Sequence, residues 1–156
     1  LSSVTDSKKL TARKREHLLK TIKSESICAE VGWASVAEID DLGIAVATKL
    51  AMTRAMEKSL IQPDYLLVDA VKLDECPVPY EAIVKGDVIS RTIAAASIIA
   101  KVTRDLHMSN LDMKYPGYSF KKNKGYGTRD HMIAIKSKGP TDIHRVSFEP
   151  VASTKR

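Results

Sequence analysis

The chain has 156 residues, 44% of them hydrophobic and 28% charged, with a formal net charge of +6. That length suits one domain built on one core, and no apolar run approaches the roughly 18 residues that cross a bilayer. Two cysteines, Cys28 and Cys76, exclude a disulfide framework, and neither has a Cys or His at zinc-binding spacing, so reduced cytoplasmic thiols are expected.

In chain order, Asp6-Ser7-Lys8-Lys9-Leu10 comes first, ahead of a short basic helix over residues 11–23 with Thr11 as its N-cap. Residues 26–34 alternate Ile27, Ala29, Val31 and Trp33 with the opposite face, which predicts a strand. Ser35-Val36-Ala37-Glu38 has the form of a capping box. It predicts a helix to about Leu60, with Ile39, Leu42, Val46, Leu50 and Met56 on one stripe and Gly43 in its interior. Tyr65-Leu66-Leu67-Val68 is an apolar run suited to a strand buried on both faces, ending in Asp69. A second short strand, residues 80–84, leads into Lys85-Gly86-Asp87. The helix predicted over residues 91–113 begins small and apolar on every side, which demands close neighbours. Residues 115–127 mix glycines, aromatics and lysines in a loop. A last helix starts at Thr128 and stops at Gly139-Pro140. Helices alternate with strands, so the fold class is α/β.

The basic charge is uneven. From Lys114 onward ten basic residues face three acidic ones. Such a region suits a polyanion, because each phosphate contact releases counterions; a solvated face with no partner gives the same count. Asp69 and Asp87 are the candidate catalytic and metal-binding residues. Each follows a short strand, the position where open α/β sheets present ligand-binding groups. If the strands are neighbours, both carboxylates emerge on one edge, as hard oxygen ligands for Mg²⁺ or Mn²⁺. Equally, Asp69 could open a turn and Asp87 could complement a helix dipole. The lysines and aromatics of residues 115–128 suit phosphates and stacked bases, or a loop anchored by its own rings. Asp6-Ser7-Lys8-Lys9 offers a phosphate grip or a plain surface turn. His144-Arg145-Val146-Ser147-Phe148 offers a general acid, a phosphate contact, or a structural histidine. His17, His107 and His131 have no spacing that suggests a metal site.

Several of these stretches together resemble a known family. Asp6-Ser7-Lys8-Lys9-Leu10, Ile83-Val84-Lys85-Gly86-Asp87, the helix from Ile93 to Asp105, Tyr115-Pro116-Gly117-Tyr118, Asn123-Lys124-Gly125-Tyr126-Gly127-Thr128 and His144-Arg145-Val146-Ser147-Phe148 occur in the order seen in ribonuclease HII. The likeness runs from about residue 5 to residue 151.

The resemblance implies an RNase H-like mixed sheet flanked by helices, in a single domain of which residues 1–156 are part. It implies Mn²⁺- or Mg²⁺-dependent cleavage of the RNA strand in RNA/DNA hybrids, and incision at ribonucleotides embedded in duplex DNA. Asp69 and Asp87 match two of the family's four catalytic carboxylates. Tyr126 matches the tyrosine that packs on the sugar at the RNA–DNA junction. Ser7, Lys8 and Lys9 match the segment near the substrate backbone, with Lys124 a further substrate contact. No membrane partner is implied, and a monomer is expected. The family's first two strands, with an Asp-Glu pair and a Gly-Arg-Gly turn, are missing from this sequence, so impaired activity is expected. Smaller departures are Ala70 and Ser119, where the family usually has Gly, and Thr5, where it has Asn. The alternatives are ribonuclease HIII and a non-catalytic nucleic-acid-binding protein of the same fold.

Overall fold

A computed structural model describes residues 10–154. The expected Ser7-Lys8-Lys9 segment lies outside the described residues. The chain packs as two compact units. The first comprises the described residues up to Trp33 together with Thr48–Val102; the second comprises Ala34–Ala47 and the chain from Thr103 onward.

In the first unit, helix α1 spans Ala12–Glu25, capped where Thr11 accepts the Lys14 amide at 3.3 Å. Its Leu18 and Ile22 pack against Ala94, Ala95, Ile98, Ile99 and Val102 of a later helix. Ile22 and Ile98 are almost completely buried, each contributing about 1.5–3 kcal/mol over an exposed side chain. This contact accounts for one side of that helix start; the expected burial all round is not met, because Ala96 and Ala100 are exposed along an apolar groove.

The strand expected over residues 26–34 does not form a ladder. Its backbone finds other donors. Lys58 Nζ donates to the Val31 carbonyl at 3.1 Å, and Arg54 Nη1 donates to the Trp33 carbonyl at 2.8 Å. Gly32 also lies directly on a helix. A Cβ there would sit 1.8 Å from the Ala51 carbonyl oxygen, so the alternation in the sequence reflects packing on a helix and not on a sheet.

Helix α2, Val36–Glu57, opens with the expected capping box: Glu38 N–H donates to Ser35 Oγ at 3.2 Å, and Ser35 N–H donates to the Glu38 carboxylate at 2.7 Å. It is not one straight helix. Gly43, at φ +79° and ψ 158°, breaks it into two. The expected stripe is lost with it: Ile39 and Ala47 are buried, whereas Leu42 and Val46 are about half exposed.

Strands β1, Leu66–Asp69, and β2, Tyr80–Ile83, pair in parallel, with Leu66 opposite Tyr80 and Asp69 opposite Ile83. The connection between them is irregular, and Tyr80 Oη ties it by donating to the Leu73 carbonyl at 2.9 Å. Among the described residues the sheet has two strands. Beside β1 runs an apolar groove of about 760 Å³, lined by Ala29, Val31, Leu66, Val68, Ile93 and Ala96 among others. After the one-turn helix α3, Gly86–Ile89, comes α4, Arg91–Lys114.

The second unit has its own core of Met108, Tyr118, Phe120, Ala134, Ile135 and Val151. The loop expected over 115–127 contains an unforeseen one-turn helix, α5, Phe120–Asn123. Helix α6, Arg129–Lys138, starts where Thr128 Oγ1 accepts the His131 amide and ends at Gly139, as expected. Among the described residues, no helix is long and apolar enough to cross a membrane.

Gly32→Ala is expected to lower stability by about 3 kcal/mol or more, because backbone must move to admit a methyl group. Gly43→Ala meets no atom within 4 Å and is expected to lose only the backbone strain, about 1–3 kcal/mol. Urea unfolding of both variants checks the difference; equal losses would show that the steric account of Gly32 is wrong.

Candidate functional site

The candidate carboxylates belong to the first unit. Asp69 is the last residue of β1, and Asp87 lies in α3, just beyond the end of β2. The two strands are adjacent and parallel, so both residues lie at the same edge of the sheet. A direct link joins their neighbourhoods: the Gly86 N–H donates to Asp69 Oδ1 at 2.8 Å. Asp87 is buried and takes part in further polar contacts.

The backbone beside each aspartate is left-handed. Ala70 follows Asp69 with φ +57°, and Lys85 precedes Gly86-Asp87 with φ +57°. For a residue with a Cβ this costs about 1–2 kcal/mol. At Ala70 the cost is offset by two short backbone bonds: Ala70 N–H reaches the Ile83 carbonyl at 3.0 Å, and Val71 N–H the Asp69 carbonyl at 2.7 Å. The chain therefore turns sharply away just after Asp69. Among the described residues, no three His, Cys, Asp or Glu side chains converge as a metal-binding group.

The basic, aromatic loop belongs to the second unit. Tyr126 is 65% exposed, but its backbone is fixed: its N–H donates to the Asn123 carbonyl, and its carbonyl accepts from the Thr128 amide at 2.8 Å and meets His131 Nδ1 at 2.9 Å. Asn123, itself buried, donates to the Tyr118 carbonyl and accepts the Gly125 amide. Lys124 Nζ donates to the Asp105 carbonyl and to Ser109 Oγ, both at 3.2 Å. Lys122 pairs with Asp130 at 3.1 Å on the surface. Ser119 starts α5 with φ +56° and makes no side-chain cap bond.

Two features of this unit escaped the sequence reading. Asp40 was not singled out, yet its carboxylate accepts the Val146 and Ser147 amides, each at 2.9 Å, and the Ser147 hydroxyl. The Ser147 hydroxyl and amide hold the Asp40 carboxyl below the usual range. The other is a buried contact between His131 and His144, whose Nε2 atoms lie 3.2 Å apart. No sequence spacing signals either one.

Two outcomes follow from this geometry. Ala70→Gly and Ser119→Gly should each stabilise by about 0.5–1 kcal/mol, as relief of left-handed strain outweighs the extra freedom of unfolded glycine. Chemical denaturation with an unchanged m-value checks this. Because folding depresses the Asp40 pKa, its stabilising contribution is present above the unfolded value and lost as pH falls through the folded one. The melting temperature should therefore fall less steeply in acid for Asp40→Asn than for the parent chain; parallel curves would contradict this.

Comparison with known proteins is consistent across sequence and fold. A profile of the Ribonuclease HII family matches residues 2–151. The ribonuclease HII of Desulfitobacterium hafniense is 52% identical over 151 residues, which is 97% of this chain and 58% of that protein. That of Enterococcus faecalis is 48% identical over 97% of this chain and 59% of its own length. The chain thus spans little more than half of these curated relatives. The crystal structure of ribonuclease H2 from Pyrococcus horikoshii superposes with a TM-score of 0.76 at 24% identity, covering 97% of this chain and 79% of that one, and it bears out the α/β, RNase H-like fold. With about half of its aligned positions identical and a family match across almost its full length, this chain belongs to the ribonuclease HII family.

Proposed function

We propose that this chain carries part of a ribonuclease H active centre that cleaves the RNA strand of RNA/DNA hybrids and incises duplex DNA at embedded ribonucleotides. One observation supports this above the others. Asp69 and Asp87 lie at the same edge of a parallel strand pair, with the Gly86 amide bonded between their neighbourhoods.

The donor set fits a divalent ion. Carboxylates are hard oxygen ligands suited to Mn²⁺ or Mg²⁺. A carboxylate has about four acceptor sites, so the single bond from Gly86 leaves Asp69 with capacity to coordinate. Asp69 and Asp87 would hold a divalent metal, which would supply charge stabilisation to the oxygens of a phosphodiester undergoing displacement. Asp69 and Asp87 hold that charge at the strand ends. Tyr126 packs against the sugar at the RNA–DNA junction, while Ser7, Lys8, Lys9 and Lys124 contact flanking phosphates. Recognition of the 2′-hydroxyl separates RNA from DNA. The enzyme acts as a monomer in the cytoplasm.

The sequence contains no Gly-Arg-Gly turn, and the resemblance implies two more carboxylates on a strand that carries it. We therefore read the 156-residue span as weakly active by itself.

The test uses a labelled DNA duplex with one ribonucleotide, in Mn²⁺, with this span and with a longer chain carrying the Asp-Glu strand. The longer chain should cut, and Asp69→Asn or Asp87→Asn should slow it by at least about 100-fold without comparable loss of binding. Binding with no cut in the longer chain would instead identify a nucleic-acid-binding protein of this fold.

A further inference from the structure

Helix α3 inverts the usual order of burial. Its Gly86 and Asp87 are buried, whereas Val88 and Ile89 are 59% and 69% exposed, and Val84, just beyond β2, is 71% exposed. Single exposed apolar residues are common, but here three branched aliphatic side chains lie within three positions of one buried carboxylate. The turn that carries them is fixed. The Val88 and Ile89 amides donate to the Lys85 carbonyl at 3.0 and 3.3 Å, and the Ser90 amide donates to the Gly86 carbonyl at 2.8 Å. Gly86 lies directly on Ile93, where a Cβ would meet Ile93 Cδ1 at 2.5 Å. All three side chains branch at Cβ, so each has few rotamers to lose when something covers it.

Three observations indicate what covers them. The apolar groove beside β1 is lined by Leu66, Val68, Asp69 and Ile93 among others, but by none of residues 77–92, so filling that groove does not account for them. They stand next to Asp87, at the sheet edge where the phosphodiester must come. And α3 carries no cation, so it has nothing with which to hold a phosphate. The 2′-hydroxyl that marks a ribonucleotide is displayed in the minor groove. A surface that reads it is therefore pressed against the neighbouring minor-groove sugars, whose carbon faces are apolar. Isoleucine, leucine and similar side chains are used in that groove by other nucleic-acid-binding proteins.

We propose that Val88 and Ile89 form an apolar contact with minor-groove sugars of the duplex beside the cleavage point, a contact that adds affinity without adding to its salt dependence. The proposal rests on the reading of Asp69 and Asp87 as the carboxylates that act on the substrate.

The experiment uses the longer chain that carries the Asp-Glu strand, with a DNA duplex containing one ribonucleotide. Val88→Ser and Ile89→Ser should each raise KM about tenfold in Mn²⁺ with kcat within about threefold of the parent chain, the pattern of lost uniform binding. Affinity without divalent ion should fall by a similar factor, with an unchanged slope against salt, because no phosphate contact is removed. The exchanged pair, Val88→Ile with Ile89→Val, should keep affinity within about threefold. For placement, Ile89→Cys should form a mixed disulfide with an activated disulfide tethered to a guanine amino group in the minor groove near the ribonucleotide, and do so faster than with a tether in the major groove. Unchanged KM and affinity, a shallower salt slope, or equal capture by the two tethers would overturn the proposal. A lower urea midpoint for either serine variant would overturn it too, since another part of the protein would then be what covers these side chains. If Asp69→Asn cuts as fast as the parent chain while the serine variants still bind weakly, the reading of the carboxylates fails and the sugar contact stands.

Discussion

The 2.8 Å bond from the Gly86 amide to Asp69 Oδ1 sits where several constraints meet. It needs β1 and β2 adjacent, parallel and in the register that sets Asp69 opposite Ile83. It also needs the left-handed turn at Lys85, which aims the following amide back at the neighbouring strand. Slide the register by one residue and every side chain of the strand changes face; the aspartate would then meet no donor there. The buried contact of α1 with α4 supports this arrangement from the same unit, since it anchors the helix that follows α3 through Ala94, Ile98 and Val102.

The second unit solves a different problem. It presents an exposed aromatic side chain from a backbone that is held at nearly every polar group. Asn123 acts as a local strut, bonded on both sides of its amide. Asp40 does the same for the turn at Val146 and Ser147, which lies far away in sequence. Rigid support beneath an exposed group is how a recognition surface avoids a large ordering cost on binding.

Much of this was legible in the sequence, for reasons that are local. Thr11, the Ser35–Glu38 box, and Thr128 with Gly139 mark helix ends because capping needs particular side chains at fixed offsets. The apolar run before Asp69 reads as a strand and is one, but the expected burial on both faces is not met: Val68 is buried whereas Leu67 is 39% exposed. What failed was non-local. Alternation in residues 26–34 gives a half-buried extended segment, but whether a helix or a strand lies beside it is decided by Lys58, Arg54 and the Ala51 carbonyl, all more than eighteen positions away. Gly43 was visible as a glycine inside a helix, but its positive φ was not, so the stripe drawn through it was too long. Motif resemblance carried what periodicity could not: it marked Ala70 and Ser119 as positions of glycine, where the backbone is indeed left-handed. Neither periodicity nor resemblance brought out Asp40 or the contact between the histidines, because each joins residues from separate stretches of chain.

Lys124 shows what such anchoring does for a flexible side chain. An ammonium has three N–H donors, and here two are directed at Asp105 and Ser109, so the four-carbon stem is already immobilised. A lysine that must be ordered by its ligand gives up about 1.5–2 kcal/mol of rotamer freedom. For Lys124 that entropy was lost when the chain folded, and an anion meeting the third donor would find a charge with almost no freedom left to surrender.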